Sequence, residues 1–266
     1  GAANITVGLQ TIRPADISLV PAPDISADLV NYLTSLPGIV SQGDRGGQLF
    51  IRGGEPTQNM VLLDGIQIFQ PFHIVGFFSA FPADIINTAD VYAGGFGARF
   101  GGRLSSVMDI TARTGNKQRL VGAATIAPFV STVRLEGPLL PGKVSFLASY
   151  RQSVIEQGAS KLVDQELPFE FGDIFAKIHA NLGSSAQLSI TGIQTDDNGR
   201  LGLDPLVDSE IETVPDEIQW ENLAIGSRLI FLPASLPIFA ELLVSYSSLN
   251  NEFGPPGDPT QTTNAT

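Results

Sequence analysis

The chain has no cysteine and only two histidines among its 266 residues. Without thiols there is no disulfide, no thiolate metal site and no cysteine nucleophile. The histidines, His73 and His179, lack the cluster of Cys, His and carboxylate ligands that a zinc centre needs. No nucleophile elbow accompanies His73 and Asp64, so a serine triad is not supported and no enzyme is expected. Basic charge is scarce as well: 15 Lys and Arg face 27 Asp and Glu, for a net charge of −12, which argues against nucleic acid as a partner. Charged residues make up only 16% of the chain, below the usual quarter for soluble domains. A long apolar run is missing too. The most apolar stretch, Met60–Phe81, is broken by Asp64, Gly65, Pro71 and Gly76, whereas a spanning helix needs about 20 apolar residues. The first residues carry no basic n-region and no cleavage site, so either a signal was removed or the chain begins inside a longer protein.

What remains is apolar surface spread along strand-length runs. Leu49–Ile51, Met60–Leu63 and Ser106–Ile110 are short apolar runs bounded by glycines or charges. Glycine from Gly94 to Gly102 is dense enough for a compact, loop-rich domain. The cluster is not a phosphate loop, because no Gly-Lys-Ser/Thr follows Gly102; the dinucleotide pattern fails at Phe100, and no cofactor is expected. Near the start, Ile5–Leu9 and Ile17–Val20 are candidate strands. Asp24 to Leu36 reads as a helix capped by Ser26, with Leu29, Val30, Leu33 and Leu36 on one face and Pro37-Gly38 as its stop.

From Leu120 the texture changes to apolar–polar alternation in runs of about ten, the length a tilted outer-membrane strand needs. Seven strands are expected: Leu120–Ala127, Val130–Glu136, Val144–Arg151, Ile174–Asn181, Gln187–Gln194, Asn222–Phe231 and Ile238–Ser247. Phe146, Ile178 and Ile225 fall on the apolar faces; Ser145, Arg151, Lys177, His179 and Arg228 fall on the opposite ones. Short connections (Pro138–Gly142, Gly183–Ser185, Pro233–Pro237) alternate with long ones (Gln152–Gly172, Asp196–Gln219), and Asn250–Thr266 reads as a polar loop. A soluble sandwich would share the alternation but would not sort its loops by length.

Four motifs together resemble the plug domain of TonB-dependent outer-membrane receptors. They are Leu36-Pro37-Gly38-Ile39-Val40, Ile51-Arg52-Gly53-Gly54, Val61-Leu62-Leu63-Asp64-Gly65, and Tyr92 to Ile110. The segment from Phe72-His73 to Phe81 is similar to the Bacteroidetes-like branch. The resemblance implies an α+β plug over residues 1–116, followed over 117–266 by antiparallel transmembrane β-barrel strands. Plugged transporters have about 22 strands, so the barrel here is incomplete and the chain reads as a fragment. A Gram-negative outer-membrane location is implied, with the plug facing the lumen and periplasm. So are three partners: a TonB-type energising protein in the periplasm, outer-membrane lipid, and a small nutrient such as a metal chelate, cobalamin or oligosaccharide. No docking motif for the energising protein stands out, which places that segment upstream. A non-transport receptor or signalling role on the same scaffold stays open, as does a secreted β-rich binding protein or enzyme.

By the same resemblance, ligand would meet the plug's outward tips at Thr57, Gln58, Asn59, Gln70, Phe72 and His73. Arg52 matches the family arginine that pairs with barrel glutamates and holds the plug. A second basic residue usually precedes the glycine of Val91-Tyr92-Ala93-Gly94; here it is Ala93, leaving Arg99 and Arg103 as substitutes. Gly53, Gly65, Gly94, Gly101 and Gly102 are expected at positive φ or against neighbouring backbone.

Overall fold

The computed structural model describes residues 8–20, 28–42, 48–73, 78–127, 129–154, 169–201, 216–234, 237–255 and 259–266. The first half builds a small α+β unit. Strand β1 (Leu9–Ile12) is followed by a helical turn α1 (Pro14–Ile17) and helix α2 (Leu29–Thr34), then by β2 (Ile39–Gln42), β3 (Gln48–Ile51), β4 (Asn59–Leu63), β5 (Ile66–Gln67), β6 (Ile86–Ala93) and β7 (Ser106–Ala112). Five of these strands form one sheet in the order β1-β6-β7-β4-β5, while β2 and β3 pair separately. Within the sheet β4 and β7 are parallel, and their register sets Asn59 beside Ser106 and Leu63 beside Ile110.

Sequence and structure part company at three places in this unit. Ile17–Val20 is not a strand. Pro14 opens a helical turn there, since its fixed φ and missing N–H suit the first helical position. Ser26 lies outside the described residues, and the cap of α2 is Asp28, whose carboxylate accepts the Val30 N–H at 2.9 Å. The sequence expectation also omits β6, the longest strand of the sheet. Its Asn87, Thr88 and Asp90 interrupt the apolar pattern, yet β1 and β7 cover both of its edges.

The second half is an eight-stranded antiparallel meander: β8 (Val121–Ile126), β9 (Val130–Leu140), β10 (Val144–Ser153), β11 (Phe169–Leu182), β12 (Ala186–Leu201), β13 (Asp216–Phe231), β14 (Ala240–Gly254) and β15 (Gln261–Ala265). Among the described residues β8 and β15 remain the two edges of an unclosed sheet. Much of the expected loop Asp196–Gln219 is strand, because Asp196, Asp197 and Asn198 pair with Glu221, Trp220 and Gln219. The expected polar loop Asn250–Thr266 likewise contains the end of β14 and all of β15. These strand tops are polar on both faces, so they carry no apolar alternation to read.

Alternation along β10, β11 and β13 resolves into two environments. Tyr150, Ile174, Ile178, Leu223 and Ile225 stand exposed on the outer face, while Ser149, Arg151, Lys177, His179 and Asn222 are buried on the inner one. Four inner-face apolar side chains, Leu147, Phe175, Ile193 and Ala224, join the core of the α+β unit, alongside Leu63, Ile66, Phe81 and Ile110. The α+β unit is thus seated on the concave face of the sheet, as a plug against part of a barrel wall. Gly65 marks one close approach. It sits at φ +88, and a Cβ there would come within 2.9 Å of Leu243 on β14.

If the outer face meets lipid, spin labels at Ile178 and Leu223 in the full-length protein will be accessible to a lipid-soluble relaxer. Labels at Ser149 and Thr191 will be protected. Equal accessibility of the two pairs would contradict the inside–outside assignment.

Candidate functional site

Plug and wall meet through buried charge. Asp28, His73, Arg151 and Asp173 are each at most 4% exposed, so each requires compensation at close range. Arg151 on β10 donates through Nε to Asp173 of β11 at 2.6 Å and through Nη1 to Asp28 of the plug at 3.0 Å. Its Nη2 also donates to the Ser79 carbonyl. Asp28 does three things at once: besides pairing with Arg151 it caps α2 and accepts the Ser79 N–H at 2.9 Å.

His73 joins this network from the other side. Nδ1 lies 2.9 Å from Asp197 of β12, and Nε2 lies 3.1 Å from Asp173. Asp197 also accepts the Trp220 indole N–H at 2.7 Å, and the His73 ring stacks on Phe171 with centroids 4.0 Å apart. Burial alone would push the imidazole pKa down, but the charges of Asp173 and Asp197 and their hydrogen bonds outweigh it and raise it to about 9. The two wall carboxylates thus favour the protonated ring, while the Arg151 Nη2, 3.0 Å from Nε2, works against it.

Two further contacts lie along the same seam. Asp64, in the Asp-Gly turn, pairs with Lys177 of β11 at 2.8 Å, accepts the Thr191 hydroxyl at 2.7 Å and accepts the Ala112 N–H at 3.1 Å. Arg113, just past β7, makes a two-oxygen contact with Glu136 of β9 at 2.8 and 2.9 Å. Arg134 bridges Glu136 and Asp84.

Thr57, Asn59, Gln70 and Phe72 line one plug cavity of about 120 Å³ together with Gln48 and Pro56. Gln58 stands beside it, its carbonyl accepting the Ser105 N–H. The rim is tied to the wall by Asn222 of β13, which accepts from Gln70 N at 3.1 Å and donates to Gln70 O at 3.0 Å. His73 points away into the charge network, so it does not share this cavity. Phe78 packs with Val130 and Phe171 of the wall, and Phe77 lies outside the described residues.

Arg52 is exposed rather than desolvated between strands. It adopts φ 49, donates its backbone N–H to Gly38 O at 2.7 Å, and has no ion-pair partner among the described residues. Arg99 pairs with Asp109 of the plug itself at 2.9 Å, and Arg103 donates to the neighbouring Gly102 carbonyl. Of the five glycines, Gly53, Gly65, Gly94 and Gly102 have positive φ. Gly101 does not, and nothing lies within 4 Å of where its Cβ would stand, so neither reason for a glycine applies there.

The seated plug and meandering wall define a plug-and-barrel fold. Residues 4–106 match the family described as TonB-dependent Receptor Plug Domain. No curated protein matches the chain in sequence. Among solved structures it is similar to the ferric yersiniabactin uptake receptor of Yersinia pestis, at TM-score 0.67 and 10% identity over 95% of this chain and 42% of that one. It is also similar to a mutant of the ferric enterobactin receptor of Pseudomonas aeruginosa, at TM-score 0.58 and 15% identity over 98% of this chain and 44% of that one. A third is an iron transporter of Neisseria meningitidis, at TM-score 0.60 and 15% identity over 93% and 42%. The chain spans less than half the length of each of these three.

Removing one partner of the Arg151–Asp28 pair strands a buried charge, at a cost of about 3–5 kcal/mol. Arg151→Met and Asp28→Asn will each loosen the plug in the full-length barrel, read as small-solute leakage from liposomes. The double variant will leak less than the Asp28→Asn protein, which retains the stranded guanidinium.

The His73 network carries its own pH signature. Protonation with a folded pKa of about 9, against an ordinary 6.5, contributes stability fully present below pH 6.5 and lost as pH rises through 9. Thermal unfolding of the full-length protein between pH 6 and 10 will show this loss, and His73→Gln will flatten that component. An unchanged profile in the variant would assign the alkaline loss to other groups.

Proposed function

We propose that this chain is the plug and part of the barrel of an outer-membrane importer for a scarce small nutrient, a metal chelate before cobalamin or an oligosaccharide. In this reading residues 1–116 form the plug and 117–266 the first strands of the wall. The protein sits in a Gram-negative outer membrane, with the plug facing the lumen and periplasm. A TonB-type protein supplies force from the periplasm, and no enzymatic step is involved. The single observation that carries the reading is a family-matched plug held against the wall by buried ion pairs from three wall strands. Such pairs are strong as long as both partners stay in place, and they open by displacement of one unit from the other.

The choice of metal chelate rests on the similar structures, two named for ferric chelates and one for iron. The cavity at Thr57, Asn59, Gln70 and Phe72 suits first contact with such a ligand, since amide and aromatic groups converge there. Its Gln70 rim is bonded to Asn222, so a ligand pressing on this segment pushes directly on the wall contacts.

A deletion strain supplied with a single iron chelate, cobalamin or glycan as limiting nutrient tests this. Loss of growth on one or more iron chelates, restored by the full-length gene and not by one carrying Gln70→Pro, is the expected result. Normal growth on every chelate with a defect on cobalamin or glycan would move the substrate class. Normal growth on all of them would overturn the import reading.

A further inference from the structure

A second cavity lies on the same seam, toward the short turns of the wall. It measures about 350 Å³ and is bounded by Asp64, Asn87 and Thr111–Gly115 of the plug side and by inner-face residues of β11, β12 and β13. In a chain of net charge −12, three cations gather here, Arg113, Lys177 and Arg228, each paired with one carboxylate, of which only Asp64 lines the cavity. Glu136 and Glu241, which hold Arg113 and Arg228, lie outside the lining and fix the orientation of the two guanidinium groups. His179 offers no further charge by its contacts. Its Nε2 faces the Asn181 carbonyl oxygen at 3.1 Å and its Nδ1 faces the Ser189 hydroxyl at 3.0 Å, partners that a neutral ring satisfies. Polar side chains of Asn87, Gln187, Ser189 and Thr114 complete a surface rich in donors.

We propose that this cavity is a transit subsite for an anionic ligand bearing carboxylate or similarly deprotonated oxygen groups. The inference rests on the import reading and deepens it by naming a charge for the cargo. Entry is by exchange of anions. In the closed state Asp64 occupies Lys177, with Thr191 and the Ala112 N–H holding its carboxylate in place. An arriving carboxylate takes over the Lys177 ammonium and the free N–H groups of Arg228, while Asp64 keeps its bonds to Thr191 and Ala112. Arg228 and Arg113 are each about a third exposed while Lys177 is buried, so an anion meets a guanidinium before the ammonium. The site holds an anion on its way past the plug and releases it when Asp64 returns to Lys177.

Citrate, a small tricarboxylate, is the probe. Calorimetric titration into the full-length protein in detergent should show saturable binding. Arg228→Gln should weaken it about tenfold, the loss of one charge-assisted contact. Asp64→Asn should tighten it, because the competing carboxylate is gone, and Arg200→Gln, on the exposed strand top, should leave it unchanged. Absence of saturable binding to the wild type, equal affinity in Arg228→Gln, or weaker binding in Asp64→Asn would each overturn the subsite. The import reading fails separately. A deletion strain that grows normally on every nutrient refutes import even if citrate follows the expected pattern. A transport defect with no citrate binding refutes only the subsite.

Discussion

Desolvated charge at the plug–wall seam is the constraint on which the rest depends. A guanidinium as deeply buried as that of Arg151 is tolerable only if carboxylates and carbonyls surround it. Those partners come from two sources, Asp173 of the wall and Asp28 with Ser79 of the plug. Neither unit alone completes the shell. The plug can therefore sit at one depth and one rotation, which brings Asp64 to Lys177 and Arg113 to Glu136 as well. Apolar packing of Leu147, Phe175, Ile193 and Ala224 adds area to this contact but, being non-directional, does not fix the register.

Polarity of the seam is in part the reverse of the expectation from resemblance. There the plug supplies arginine and the wall glutamate; here Asp28 and Asp64 of the plug meet Arg151 and Lys177 of the wall. Arg113 with Glu136, and His73 between Asp173 and Asp197, follow the expected sense, with partners on the early strands β9, β11 and β12. The four residues from Gln70 to His73 gather the consequences. Gln70 is bonded to Asn222, Phe72 lines the outward cavity, and His73 enters the ion network. A shift of this segment cannot spare the wall.

Sequence alone reached the faces of the strands but not their partners. Period-2 alternation put Arg151, Lys177 and His179 on the inner face, because a one-residue slip would have turned Ile174 and Ile178 inward. It could not say that Arg151 would meet Asp28, 123 positions away, since charge pairing across a fold leaves no local pattern. Polar strand tops such as Asp196–Asn198 were invisible for a related reason: polar residues fill both faces, including the buried Asp197, so no apolar alternation is left to read. Asp28 was hidden by a nearby Ser26 that also suits a cap, and β6 by polar residues at positions that sheet neighbours cover. Thr57, Asn59, Gln70 and Phe72, which the resemblance set at loop tips of the plug, do line one cavity. Arg52 stands exposed on a left-handed backbone without an ion-pair partner among the described residues, so the lock that the resemblance implies for it stays an expectation.

Strands β12 and β13 run for sixteen residues each, far more than the apolar band requires. At about 3.3 Å per residue each is roughly 50 Å long, and even tilted it overtops a band about 25 Å tall. The part beyond the band is hydrogen-bonded sheet rather than loop, from Thr195↔Asn222 up to Leu201↔Asp216. Backbone there is committed to a ladder, and diversity at this height can enter only through side chains. The result is a stiff palisade that carries Asp196, Asp197, Asp216, Glu217 and Glu221 at spacings fixed by the ladder.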